Sequence, residues 1–185
     1  MTQEKTHSSD SSEVDYTFKI VLLGDPSVGK SSLAKRFVDN MFRMDYIMTI
    51  GMDVRSKIVH VQDNKLVKLV IWDLGGQSFF RDVRETYCKG ANGAIIVFDL
   101  TRQETFMNLH EWLQTLWKIA GKLPLAICAN KYDLKSIRTI SRERALDIVR
   151  FSGAEYFETS AKTGENVAKA FLFITNTILA NAKGD

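Results

Sequence analysis

Apolar positions along the chain fall into two kinds of stretch. Phe18–Leu23, Gly93–Leu100 and Pro124–Ala129 are short runs with almost no polar interruption, as in strands covered on both faces. Between them apolar residues recur every three to four positions, the helical period. Ser32 to Asn40 carries Leu33, Ala34, Phe37 and Val38 on one face. Phe106, Leu109, Leu113, Leu116, Trp117 and Ala120 form a second stripe, preceded by Thr101-Arg102-Gln103-Glu104, which fits a capping box. Ser141 to Phe151, closed by Gly153, predicts a third helix. Val167, Ala170, Phe171, Ile174 and Ile178 stripe a last one. Met52–Val61 and Leu66–Trp72 flank the turn-like Gln62-Asp63-Asn64-Lys65 and predict a hairpin. Tyr156–Glu158 predicts a short strand, Phe79–Lys89 a weak helix, and Phe42–Ile50 a loop.

Strands alternating with helices predict a three-layer α/β/α domain: a six-stranded, mostly parallel sheet with one antiparallel hairpin strand and helices on both faces. Residues 1–15, rich in Ser, Thr, Asp and Glu without hydrophobic period, read as a disordered tail; 16–181 form the domain and 182–185 a C-terminal tail. With 185 residues and 45% hydrophobic content, one domain with a sizeable core is expected. A net charge of +3 without a basic block argues against a nucleic-acid partner. Cys88 and Cys128 lie far apart and read as reduced thiols. No run reaches membrane-spanning length and no secretory signal precedes the domain. Residue 2 is Thr, and Asn181–Asp185 holds no prenylatable cysteine. A cytoplasmic monomer is expected, with peripheral membrane attachment left open.

Ligands of such folds bind beyond the carboxyl ends of the strands, and the polar motifs fall there. Gly24-Asp25-Pro26-Ser27-Val28-Gly29-Lys30-Ser31 fits G-x-x-x-x-G-K-[ST], between a predicted strand and a predicted helix. Two glycines let the backbone fold around a phosphate with its N–H groups inward, and the helix N-terminus adds a positive dipole end. Lys30 supplies a compact charge and Ser31 a hydroxyl for Mg²⁺; Asp25 through Ser32 line the phosphates. Asp73, after Leu69-Val70-Ile71-Trp72, is suited to bind Mg²⁺ directly or through water. A helix cap would explain Asp73 alone, but not its pairing with Lys30 and Ser31. In Asn130-Lys131-Tyr132-Asp133 the Asp133 carboxylate can accept from the N1–H and 2-amino groups of guanine, donors that adenine lacks. The stem of Lys131 can lie over the base. The backbone N–H groups of Glu158-Thr159-Ser160-Ala161-Lys162 are suited to meet guanine O6, although a loop leading into a helix would look the same in isolation.

In order and spacing, Gly24–Ser31, Thr49-Ile50-Gly51, Trp72-Asp73 with Gly76-Gln77, Asn130–Asp133 and Ser160-Ala161-Lys162 resemble the Ras superfamily of small GTPases, most closely its Rab branch, over Phe18 to about Ala180. The resemblance implies a P-loop NTPase fold and roles for several residues. Thr49 would bind Mg²⁺ and sense the γ-phosphate, Phe42 would stack edgewise on guanine, the Gly76 N–H would contact the γ-phosphate, and Gln77 would orient the attacking water. The catalytic set is then Gln77, Lys30 and Gly76, with Ser31, Thr49 and Asp73 as metal ligands and Asn130, Lys131, Asp133, Ser160, Ala161 and Lys162 around the base. Effectors, an exchange factor and an activating protein would engage residues 42–53 and 74–89. Pro26 and Ser27 stand where the family carries small residues or glycine, and Pro26 has no N–H. Leu74-Gly75 replaces the usual Thr-Ala and Ser78 replaces Glu, so Asp-Leu-Gly-Gly-Gln looks like the Arf branch and the heterotrimeric α subunits.

His7, His60 and His110 lack metal-ligand spacing. Trp112 and Trp117 read as helix packing and rim, Trp72 as half-buried packing beside a switch, and Arg81 and Arg84 as solvated. The leading expectation is a Mg²⁺-dependent GTP-hydrolysing switch. The alternative is a nucleotide-gated binding module with negligible hydrolysis. A P-loop ATPase or small-molecule kinase is disfavoured by Asn130 and Asp133.

Overall fold

The computed structural model describes residues 14–42, 52–75 and 86–184. Strands β1 (Tyr16–Leu23), β2 (Met52–His60), β3 (Leu66–Leu74), β4 (Gly93–Asp99), β5 (Leu125–Asn130) and β6 (Glu155–Glu158) form one six-stranded sheet in the order β2-β3-β1-β4-β5-β6. Every pairing is parallel except β2 with β3, the predicted hairpin. Helices α1 (Lys30–Asp39) and α5 (Val167–Gly184) cover one face; α2 (Gln103–Met107), α3 (Leu109–Ala120) and α4 (Arg142–Ser152) cover the other. The expected three-layer α/β/α architecture is therefore observed.

The hydrophobic pattern explains the layers. All seven residues of β4 and all six of β5 are buried, as central strands sandwiched by helices must be. On the α1/α5 face Phe37 stacks on Phe171 with ring centroids 4.2 Å apart, beside Ile20, Leu22, Ile174 and Ile178. On the other face Val21, Leu23, Ile96 and Phe98 pack against Phe106, Leu113 and Leu116. Ser141 caps α4 by accepting from the Arg144 N–H at 3.2 Å, and Gly153 ends that helix at a φ of 68°.

Several boundaries differ from expectation. Asp73 and Asn130, read as following their strands, are inside β3 and at the last position of β5. Asp15, assigned to the tail, is anchored: its N–H donates to Leu66 O at 2.9 Å and its carboxylate accepts from the Leu66 N–H at 2.8 Å and Lys65 Nζ at 2.7 Å. The last helix continues through Gly184, with Lys183 paired to Asp63 at 2.6 Å, across residues read as a C-terminal tail. Thr101 does not cap a helix. Its N–H and hydroxyl both donate to Asp99 Oδ1, at 2.9 and 2.7 Å, so the hydroxyl turns back toward the strand. The helix expected to run unbroken past Phe106 is interrupted at Asn108, which ends α2 and begins α3. Of the predicted helix Phe79–Lys89, only residues 86–89 lie within the described residues, and 86–88 are helical.

Candidate functional site

The carboxyl ends of β1, β3, β4, β5 and β6 lie along one edge of the sheet, and the polar motifs meet there. The turn from β1 into α1 demands its glycines. Gly24 has a φ of +131°, and a Cβ there would come within 2.1 Å of Val97 O. Gly29 has a φ of +100°, and its Cβ would meet Asn130 Nδ2 at 2.3 Å. Between them Val28 is buried, whereas Pro26 and Ser27 are exposed, Ser27 at a φ of 64°. Lys30, only 6% exposed, donates from Nζ to Gly24 O and Asp25 O, each at 2.9 Å. Its ammonium is thus fixed against the loop's own first arm.

The β1–β3 register sets Asp73 opposite Leu22, and the Ser31 hydroxyl donates to its carboxylate. Hydroxyl and carboxylate oxygens side by side are hard donors, the set that Mg²⁺ takes. Among the described residues no cluster of three or more His, Cys, Asp or Glu side chains offers another metal site. Ser32 is half-buried on the next position of α1.

Asn130, at the end of β5, ties two loops together. Its Nδ2 donates to Val28 O at 2.8 Å; its Oδ1 accepts from the Ala161 N–H at 3.2 Å and from Thr159 Oγ1 at 3.3 Å. The Ala161 N–H, read as reaching guanine O6, is thus engaged with Asn130. Asp133 accepts from Ser160 Oγ at 2.6 Å. The segments are also stitched by backbone: Thr159 N–H to Ala129 O at 2.8 Å and Tyr132 N–H to Thr159 O at 3.0 Å. Lys162 is exposed, and its carbonyl accepts from Arg36. Phe42 is half-buried against the core layer of α1 and α5. Thr49, Gly76 and Gln77 lie outside the described residues.

Sequence reasoning missed a second tier of residues. Asp99, at the end of β4 beside Asn130, has a side chain 0% exposed. It meets Lys131 Nζ at 2.5 Å and Arg102 Nε at 3.1 Å. Burial alone would raise its carboxyl; hydrogen bonds from Lys131 and from the Thr101 side chain and N–H outweigh burial and hold it below the usual carboxylate range. Arg102 also donates to Pro26 O at 2.8 Å. Asp25, read as a phosphate-loop residue, turns its carboxylate to the helix break: Trp112 Nε1 and Asn108 Nδ2 donate to it, both at 2.8 Å. Asp99 was findable by the rule that found Asp73, an acid closing an apolar run. Arg102, Asn108, Trp112 and Arg36 carry no such local signal, since each reads as an ordinary helix-side residue.

Both cysteines are buried and neither is in a disulfide with the other, and burial pushes the Cys128 thiol up to about 12. No helix among the described residues is long and apolar enough to cross a membrane.

The Ras family model matches residues 19–180. The chain belongs to the Ras family. Ras-related protein RIC1 of Oryza sativa subsp. japonica is 41% identical over 167 residues, covering 90% of this chain and 82% of that protein. Ras-related protein Rab-1 of Theileria parva is 42% identical over 168 residues, 90% of this chain and 76% of that protein. Ras-related protein RABD1 of Arabidopsis thaliana is 41% identical over 172 residues, 91% and 82%. The expected kinship with the Rab branch therefore holds, and this Ras-family chain is a Rab-like GTPase.

Proposed function

We propose that this GTPase is a Mg²⁺-dependent switch that binds GTP and GDP in the edge cleft, hydrolyses GTP slowly, and presents different faces to effectors in its two states. The work is that of a vesicle-trafficking or signalling switch. The observation carrying this assignment is the Asn130 side chain, which joins the phosphate loop at Val28 to the Ser160-Ala161-Lys162 loop at Ala161. A nucleotide spanning phosphates and base needs those two loops held at a constant separation.

Each residue then has a task its surroundings support. Lys30, anchored on Gly24 O and Asp25 O, holds its ammonium charge at the phosphate loop, where it would meet the terminal phosphates. The loop N–H groups and the α1 N-terminus cradle the anion, Pro26 adding no donor. Ser31, Asp73 and Thr49 would hold Mg²⁺, which neutralises phosphate charge when bound. Asp133, steadied by Ser160, accepts from the guanine N1–H and 2-amino group. Asp99 fixes the tip of Lys131 and leaves its stem to cover the base. Gln77 orients the water and Gly76 contacts the γ-phosphate. Residues 42–53 and 74–89 serve effectors, exchange factor and activating protein, with the protein acting as a cytoplasmic monomer that attaches to membranes peripherally.

The test is to denature the purified protein, identify the released nucleotide by chromatography, and measure single-turnover GTP hydrolysis with and without Mg²⁺. Guanine nucleotide and a Mg²⁺-dependent rate on the scale of Ras, roughly 10⁻⁴ to 10⁻³ s⁻¹, are expected. Adenine nucleotide would overturn the base assignment. Tight GTP binding without turnover would replace the enzyme by a nucleotide-gated binding module.

A further inference from the structure

We infer that Arg36, in the last turn of α1, is a positioning residue for guanine recognition: its guanidinium fork orients the loop that meets the base. The inference rests on the guanine assignment above. Arg36 Nε donates to Ala161 O at 2.8 Å and its Nη2 to Lys162 O at 2.6 Å. Two donors of one rigid fork therefore hold two consecutive carbonyls, the geometry for which arginine is pre-organised and lysine is not. The remaining Nη1 donates to Asn40 O at 3.0 Å and reaches Asn40 Oδ1 at 3.4 Å. Asn40 is the left-handed residue that ends α1, with φ 53°. Arg36 thereby rests on its own helix end while gripping a loop 125 residues away in sequence.

Gripping these carbonyls matters because a trans peptide sets its N–H opposite its C=O. With Ala161 O turned toward Arg36, the Lys162 N–H is turned away from the guanidinium. One peptide earlier, the Ala161 N–H faces Asn130. The same short loop positions the base-reading acid: Ser160 Oγ donates to Asp133 at 2.6 Å and accepts from the Thr163 N–H at 3.1 Å. The loop is held from the other side by Gly164 N–H to Ser160 O at 2.8 Å. Without the Arg36 fork the two carbonyls lose their shared anchor, and Ser160, with the Asp133 carboxylate it steadies, gains freedom to drift. Asp133 then discriminates less well between a base that offers a 2-amino donor and one that does not.

The experiment compares GDP with inosine diphosphate, which keeps O6 and N1–H and lacks only the 2-amino group. Dissociation constants for both are measured by competition on the parent, Arg36→Ala and Arg36→Lys proteins. The parent should prefer GDP by about tenfold or more, the worth of a charge-assisted hydrogen bond. Both variants should lose about threefold or more of that preference, because lysine keeps the charge but not the fork. A general loosening of the fold would weaken both ligands equally and leave the ratio unchanged, and the ratio is independent of the fraction of protein correctly folded. A parent-like ratio in either variant overturns the role of Arg36. No GDP preference in the parent itself overturns the guanine assignment, and with it the inference, whatever the variants do.

Discussion

Replacing Asn130 by alanine removes a side chain that joins the phosphate loop to the Thr159–Ala161 loop. Three hydrogen bonds go at once: the 2.8 Å bond to Val28 O, the 3.2 Å bond from the Ala161 N–H and the 3.3 Å bond from Thr159 Oγ1. Val28 and Thr159 are 0% exposed and Ala161 4%, so water does not readily take Asn130's place. A buried group left unpaired costs about 1–3 kcal/mol. Val28 O and the Ala161 N–H are the two strict cases, because the Thr159 hydroxyl can rotate to another partner. Taking the lower half of the range for each, as loops can shift to admit a water, gives about 2–4 kcal/mol. For a domain of this size each kcal/mol moves Tm by about 2–4 °C, so a drop on the order of 10 °C is expected. Thermal unfolding at saturating GDP and Mg²⁺ measures that drop. Release of a fluorescent GDP analogue measures the functional half, and should quicken about tenfold or more as the two loops uncouple. A variant with Tm within about 2 °C of the parent and unchanged release would show that Asn130 does not join the loops.

Gln77→Leu should slow single-turnover hydrolysis by about tenfold or more with GTP affinity unchanged; hydrolysis at the parent rate would remove Gln77 from water positioning. Asp133→Asn should move base preference from guanine toward xanthine, because an amide sets a donor against the 2-oxo group, and GDP affinity should fall by about tenfold or more. Competition between GDP and XDP reads this directly, and an unchanged ratio would count against Asp133 as base reader. Asp99 gives a pH signature. Its carboxyl is lowered in the folded protein from an ordinary 3.8, so the stability it contributes is complete above that value and is lost as pH falls through the lower folded value. Asp99→Asn should therefore be less stable than the parent at neutral pH, with the gap closing below about pH 3.8. Urea denaturation of both proteins across that range tests it, and parallel curves would show that Asp99 stays neutral or unpaired.

The fold was legible wherever one pattern had one physical solution. Unbroken apolar runs such as those of β4 and β5 can be satisfied only between two helical layers, and both strands are buried throughout. The stripe Val167, Ala170, Phe171, Ile174 and Ile178 buries in full. The capping box failed because a threonine hydroxyl has competing partners: Thr101 found the Asp99 carboxylate two residues back instead of a helix N–H. The helix break at Asn108 was illegible because its side chain donates to Asp25, 83 residues earlier.

At the site, residue types and spacing were enough to pick out segments that the structure brings together, because each proposed ligand group, phosphate or guanine, asks for its own chemistry on a short segment: Gly24 to Ser31, Asp73, Asn130 to Asp133, Ser160 to Lys162. Which groups hold those segments in place was decided by tertiary structure alone. Asp25 turns to Trp112, Lys131 to Asp99, and Arg36 to Ala161 and Lys162. A partly buried acid or an unmade carbonyl bond is satisfied by whatever donor the packed helices bring within reach, and that donor lies 87 residues from Asp25 and 125 from Arg36's partner. No periodicity or motif spans such distances; only the layering of the sheet and its helices brings these partners together.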